Sequence, residues 1–251
     1  MDAFIRRYQE SDFDACAHIC QATLPPSLSS SPVATKLSPY LWTHPYTFLS
    51  PSTCWVLDDG SGHAVGYCIG CPDVHAFASA YPSYVAEVLS PTVAAPPDLD
   101  TREPWSIMDD SLLGLTAPGL GLGLGHKVNV VSMAQTAYNV RWLLFEGNEH
   151  LTDSWRATMH IDLLEPWQSK GWGRRLIASF VDSVRGSSQD YGQGIWIGIA
   201  AENEKVVKFY ERIGFRRVEK PDSGDGQGED HGINMVEDLP PTPADPPSVA
   251  S

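Results

Sequence analysis

The chain has 251 residues, 31 of them acidic and 17 basic, for a formal net charge of −14; 42% are hydrophobic and 19% charged. This composition excludes a wholly disordered chain. The acidity excludes generic binding to nucleic acid or to anionic membranes, both of which need a basic surface.

The acidity is uneven. Residues 1–169 carry 7 basic and 18 acidic groups, and residues 221–251 carry 7 acids with no Lys or Arg. Residues 170–220 reverse the sign, with 10 basic and 6 acidic groups. A local positive field within an acidic chain suits a small anionic ligand.

The opening Met1-Asp-Ala-Phe-Ile-Arg-Arg-Tyr8 shows no apolar run behind a basic start, so no secretory signal is expected. No stretch approaches the about 20 apolar residues of a membrane span. The expected location is intracellular: the cytoplasm, with the nucleus open. The odd set of cysteines, Cys16, Cys20, Cys54, Cys68 and Cys71, gives no disulfide framework. Cys68-Ile-Gly-Cys71 is half a zinc motif without its second half, so no metal is expected.

In chain order, Phe4–Tyr8 predicts a strand. Ser11-Asp12-Phe13-Asp14 then supplies a cap and early acids for a helix through about Gln21, with Ala15, Ile19 and two cysteines as its apolar face. Leu24–Pro51, rich in Ser and Pro, is expected to be irregular with one short helix. Cys54–Asp58 and Ala64–Ile69 flank a Gly-containing turn and predict a hairpin. Residues 72–150 are the least legible: a helix at Tyr84–Leu89, a loop at Pro91–Pro104 and an ambiguous apolar segment at Val128–Leu144. The glycine run before Lys127 lacks both the Gly-Lys-Ser/Thr ending and the dinucleotide spacing, and reads as a flexible loop. Trp42, Tyr46, Trp105, Trp142 and Trp155 either line a cleft or belong to the core.

From Trp155 onward the pattern sharpens. Arg156–Leu164 predicts a strand, and Gly171–Arg185 a helix with Leu176, Ile177, Phe180, Val181 and Val184 at helical spacing. Ile195–Ala200 is an apolar, central strand. Glu204–Ile213 predicts a helix stopped by Gly214. Strands at Phe215–Glu219 and Ile233–Leu239 flank an acidic, Gly-rich loop, and residues 240–251 form a Pro-rich tail expected to be disordered. No internal repeat is visible. The order of elements is that of an α/β domain.

The chemistry rests on Gln168-Ser-Lys-Gly171-Trp-Gly173-Arg174-Arg175, set between a strand and a long amphipathic helix. Gly171 and Gly173 let the backbone approach a ligand closely. The helix N-terminus adds free N–H groups and partial positive charge, which together suit a pyrophosphate. Some thirty residues later comes Asn203-Glu-Lys-Val-Val-Lys-Phe-Tyr210-Glu-Arg-Ile-Gly214-Phe215.

Together these segments resemble the GCN5-related N-acetyltransferase (GNAT) superfamily. Gln168–Gly173 is similar to its acetyl-CoA motif A, and Asn203 to Phe215 to its motif B. The resemblance covers residues 155–220 and extends to 4–22 and 54–70; residues 72–150 fall outside it. More narrowly, the N-terminal hairpin, the long insertion and Met159-His160-Ile161-Asp162-Leu163 resemble the acetyltransferase-like domain at the C-terminus of O-GlcNAc hydrolases. The implied fold is a mixed central sheet flanked by helices. It would form one domain over residues 1–239, with a long insertion at 72–150 before the acetyl-CoA motif.

The implied cosubstrate is acetyl-CoA. Ile161, Asp162 and Leu163 would offer backbone groups to its pantetheine arm. Gln168, Ser169, Lys170, Gly171, Trp172, Gly173 and Arg174 would hold the pyrophosphate. Asn203 would contact the middle of the arm, and Tyr210 would stand near the thioester sulfur.

Direct acyl transfer needs a base for the amine and an acid for the departing thiolate. Tyr210 is the acid candidate, against a reading as a core ring. Asp162 is the base candidate because a carboxylate in an apolar strand is costly unless paired or used; an ordinary hydrogen-bonded Asp is the alternative. His160 lies on the same strand face, as base, relay or satisfied strand histidine. Histone-type members place a catalytic Glu earlier in this strand. Arg156-Ala157-Thr158 has no carboxylate there, and Glu165 lies beyond the strand, toward the loop.

The expectation is an acetyl-CoA-dependent N-acetyltransferase acting on an unidentified amine, a cationic small molecule or protein amine favoured by the acidic surface. The alternative is a catalytically silent CoA-binding or interaction module. A homodimer is left open.

Overall fold

The computed structural model describes residues 2–108, 126–219 and 232–240. The glycine run at 118–125, the acidic loop after Glu219 and the tail at 241–251 lie outside the described residues.

Strand β1 (Phe4–Arg7) is followed by helix α1 (Phe13–Ala22), which buries Cys16, Ile19 and Cys20, the spacing of one helical face. Asp12 does not cap α1 as expected. Its carboxylate accepts from the Arg6 guanidinium at 2.6 and 2.8 Å and from the Gln9 N–H at 2.9 Å. A charge-assisted pair outcompetes a single cap bond.

Residues 24–51 correct the expectation of an irregular segment with one short helix. They form α2 (Pro26–Ser29), α3 (Pro32–Trp42) and α4 (His44–Leu49). Pro26, Pro32 and Pro45 occupy first-turn positions, where a missing N–H costs nothing, and Ser31 accepts from the Ala34 N–H. The prolines that suggested irregularity start the helices instead. Pro39 is the exception; it sits inside α3.

Strands β2 (Trp55–Asp58) and β3 (Ala64–Cys71) form the expected hairpin. The segment with least sequence signal then supplies α5 (Val74–Tyr84), continued by a π-helical turn at Val85–Leu89, and α6 (Val130–Tyr138). It also contains the short α7 (Glu149–Thr152) and a separate ribbon of β4 (Ser106–Met108) with β5 (His126–Val128). Asp73 and Asn129 cap α5 and α6 by accepting from His75 and Val131 N–H.

The C-terminal third follows the expected order: β6 (Ala157–Leu163), α8 (Trp172–Arg185), β7 (Gly194–Ile199), α9 (Val207–Arg212), β8 (Arg216–Val218) and β9 (Ile233–Asp238). Glu204–Val206, expected in the last helix, belongs instead to a tighter 3₁₀ turn, Ala201–Val206, with non-helical backbone at Asn203.

Seven strands join in the order β1-β2-β3-β6-β7-β9-β8, antiparallel except for the β6–β7 pair. Alternation along the strands divides the core. Tyr67 and Ile69 pack with α1, α3, α4, α5 and α6 on one face, while Cys68, Met159 and Ile197 pack with α8 on the other. No helix among the described residues is long and apolar enough to cross a membrane.

Candidate functional site

The parallel pair at the centre of the sheet is short. Ala157 pairs with Ile195 and Thr158 with Trp196, and the Thr158 hydroxyl closes the last rung on the Trp196 carbonyl at 3.0 Å. Beyond it β6 runs on to Leu163 paired only with β3, and β7 to Ile199 paired only with β9. The strands therefore part. They leave facing edges whose backbone groups can take an extended ligand as an added strand.

Side chains alternate along the β6 edge. Ile161 and Leu163 belong to the α8 face, and both approach Gly173; a Cβ on Gly173 would lie 3.3 Å from Phe209, 3.7 Å from Ile161 and 3.8 Å from Leu163. His160 and Asp162 occupy the opposite face, as their spacing requires.

After β6 the chain enters the glycine loop. Ser169 and Gly171 adopt left-handed backbone, with φ of 58° and 83°, while Gln168 Nε2 donates to the Leu163 carbonyl at 2.7 Å. Among the described residues, no hydrogen bond takes the backbone N–H of any residue from Ser169 to Arg174. Six consecutive donors thus lie without a partner among the described residues at the start of a 14-residue helix, a place suited to phosphate oxygens. Lys170, Arg174 and Arg175 form no ion pair among the described residues. Lys170 instead lies 5.6 Å from the Trp167 ring and the Arg175 guanidinium 4.3 Å from Trp172. These residues fit a pyrophosphate: donors without partners, and cations without counterions.

Tyr210 projects from α9 against Phe209 and Phe215, with ring centroids 5.2 and 5.4 Å away. Its hydroxyl has no hydrogen-bond partner among the described residues. Burial raises the phenol above its usual value, and the nearby Asp162 and Cys68 raise it further. Asp162 and Tyr210, from different elements, therefore share one neighbourhood. Asn203 sits in the turn after β7, partly exposed, its N–H donated to the Ala200 carbonyl at 2.8 Å.

Asp162 keeps some solvent exposure although it is densely surrounded, as at the floor of a cleft. Burial pushes its carboxyl up to about 6, against the hydrogen bond from Tyr67 and the proximity of Thr23, which favour the anion. The Tyr67 hydroxyl donates to Asp162 Oδ2 at 2.6 Å. His160 is pushed down to about 4 by burial and packs 5.0 Å from the Tyr46 ring, so it is neutral at pH 7. Ser27 of α2 donates to Glu202 in the turn after β7, joining the N-terminal helices to the far side of the cleft.

Tyr67 and Thr23 carry no signal in the sequence; only the β3–β6 register and the end of α1 bring them to Asp162. The five aromatic candidates do not form one wall. Tyr46 is fully buried beside His160, whereas Trp155 donates to Asp238 and lies under Arg216, about 20 Å down the strand from Asp162. Trp42 and Trp105 pack on the helical core, and Trp142 is partly exposed. All five cysteines are buried and unbridged, with burial raising every thiol. At the position of the histone-type glutamate, Ala157 and Thr158 are buried and Arg156 pairs with Asp190.

The divergent central strands, with a glycine loop and helix following the first, define the chain as having the GNAT fold. Among solved structures it superposes on SsHAT with a TM-score of 0.67, at 23% identity over 95% of this chain and 98% of that one. Looser likenesses are PH1933 from Pyrococcus horikoshii (TM-score 0.49, 11% identity, 95% and 99% covered) and the ribosomal-protein-S18-alanine N-acetyltransferase from Escherichia coli (TM-score 0.43, 13% identity, 97% of each chain covered). No protein-family model and no curated protein sequence matches the chain.

Proposed function

We propose that the chain, acting as one GNAT-type unit over residues 1–239, transfers an acetyl group from acetyl-CoA to an amine. The observation that carries this reading is the row of six unpartnered N–H groups from Ser169 to Arg174, set beside the parted strands β6 and β7. The loop and the cations Lys170 and Arg174 would hold the pyrophosphate. The edges at Ile161–Leu163 and near Asn203 would hold the pantetheine arm, which brings the thioester toward Tyr210 and Asp162.

In the reaction, ionised Asp162 takes a proton from the acceptor ammonium. The neutral amine attacks the thioester carbonyl and the C–S bond breaks; the thiolate takes the Tyr210 proton, the acylated nitrogen releases its second proton to the Tyr210 phenolate, directly or through water, and Asp162 returns its proton to solvent. His160, neutral at pH 7, contributes packing or a relay. The acidic surface favours a cationic acceptor in the cytoplasm or nucleus; a homodimer is compatible with this reading.

A second reading, a silent CoA-binding module, is favoured by the missing carboxylate at Ala157–Thr158. Calorimetry with acetyl-CoA tests what both share, and no binding up to millimolar ligand sinks both. Thiol release across an amine panel then separates them: release supports the enzyme, and silence throughout supports the module.

A further inference from the structure

Asp162 has a fixed partner. In the β3–β6 register its direct cross-strand neighbour is Tyr67, a fully buried residue whose hydroxyl donates to Oδ2 at 2.6 Å. Two other elements adjoin that hydroxyl: Cys20 on the buried face of α1 and Thr43 between α3 and α4. Thr23 at the end of α1 and Cys20 also adjoin Asp162, and Tyr210 of α9 and Cys68, on the other face of β3, lie near enough to feel its charge. None of these is a cation, and no ion pair reaches Asp162 among the described residues. Among the described residues the carboxylate is held by one donated hydrogen bond, that of Tyr67.

We propose that Tyr67 is the positioning residue for Asp162: its buried hydroxyl aims the carboxylate into the cleft between β6 and β7 and favours the ionised form. The proposal rests on the acetyl-transfer reading, in which Asp162 accepts the amine's proton. A phenol with no access to water must find its partner inside the protein, and the strand register leaves this one facing the carboxylate. Thr23 adjoins the carboxylate, but its hydroxyl donates to the Ile19 carbonyl at 2.8 Å, so without Tyr67 little would oppose the desolvation that disfavours the anion. A protonated Asp162 cannot accept a proton, so Tyr67 would govern the pH at which the site becomes competent. A hydrogen bond to a charged group is worth about one to two pKa units.

The test is the titration of Asp162 in the full chain carrying ¹³C-labelled Asp carboxyls, read by NMR and assigned with Asp162→Asn. The wild-type midpoint is expected near 6. In Tyr67→Phe it should rise by about one to two units, with acetyl-CoA affinity within about twofold of wild type. Tyr84→Phe is the comparison, because it removes another buried hydroxyl, one donating to the Tyr40 carbonyl at 2.8 Å; it should leave Asp162 unmoved. An unmoved midpoint in Tyr67→Phe, or an equal rise in Tyr84→Phe, overturns the proposal. Should Tyr67→Phe fail to fold, 3-fluorotyrosine incorporated throughout makes a stronger donor. The midpoint should then fall, and no change again overturns it. Failure of the acetyl-transfer reading has a different signature: no thiol would be released with any amine while the titration shift in Tyr67→Phe remained.

Discussion

Gln168 donates its side-chain Nε2 to the Leu163 carbonyl at 2.7 Å, tying the start of the glycine loop to the last residue of β6. The contact sets the loop's donors at the mouth of the gap between β6 and β7. Replacing Gln168 by Ala removes about 1 kcal/mol of tether, and acetyl-CoA should bind about fivefold more weakly. Gly171→Ala acts differently. No atom lies within 4 Å of the added Cβ, but φ of 83° is strained for alanine, by about 1–2 kcal/mol. Relief of that strain turns the free N–H groups away, and calorimetry should show affinity lower by about tenfold or more. Unchanged affinity in both variants would exclude the loop as the anion site.

Tyr210→Phe keeps the ring that packs on Phe209 and Phe215 and removes only the hydroxyl. Turnover with an accepted amine should fall by about a hundredfold, the scale of a general acid, while acetyl-CoA affinity stays within about twofold. Stopped-flow thiol release alongside calorimetry measures both. An unchanged rate would remove Tyr210 from the acid role.

Asp162 predicts opposite pH effects on stability and activity. Its folded pKa, near 6, lies above its ordinary value, so the native state holds the proton more tightly than the unfolded state. Its ionisation therefore costs stability as pH rises from about 4 to 6, and the loss persists above that range. Asp162→Asn should raise the melting temperature at pH 8, by on the order of 1–3 kcal/mol of stability, with little gain at pH 4. Wild-type activity should appear as pH rises through about 6. Thermal melts of both proteins at the two pH values, beside a pH–rate profile, check the pair of signs.

Arg6 is the anchor between β1 and α1. Its guanidinium meets Asp12 at 2.6 Å and Asp58 at 2.8 Å, and both carboxylates are almost fully buried. Burial pushes Asp58 up, but Arg6 and the N–H groups of Gly60 and Gly62 outweigh it and hold the carboxyl below its ordinary value. Arg6→Met should destabilise by about 3–5 kcal/mol at pH 7, because it strands two buried anions. The stabilisation at Asp58 is present above the ordinary carboxylate range and lost as pH falls through its lowered pKa. The penalty of Arg6→Met in denaturant melts should therefore shrink below about pH 4.

The legibility of the fold tracks how local its causes are. Helix α8 was readable because Leu176, Ile177, Phe180, Val181 and Val184 repeat at helical spacing on an otherwise polar segment. The hairpin β2–β3 was readable from its Gly turn. Residues 24–51 were not, because a proline reads alike whether it breaks a helix or begins one. Only packing against α1 and the sheet distinguishes the two cases. The same holds for α5 and α6, whose helical turns are stabilised by burial of Tyr81, Tyr84 and Met133 more than by any strong periodic pattern.

The amino-acid order by itself determined the chemistry of the loop. Gly171 and Gly173 ahead of an amphipathic helix, with Lys170, Arg174 and Arg175 in the one basic stretch of an acidic chain, already supply the backbone donors and charge that the proposed anion site needs, since backbone freedom and helix termini are local properties. Only the tertiary structure decided what faces that proposed site. The parting of β6 from β7 after two rungs, and the register that sets Tyr67 opposite Asp162, join residues 95 positions apart. Strand pairing between distant segments is chosen by the burial of whole faces, and that choice is not written at any single position.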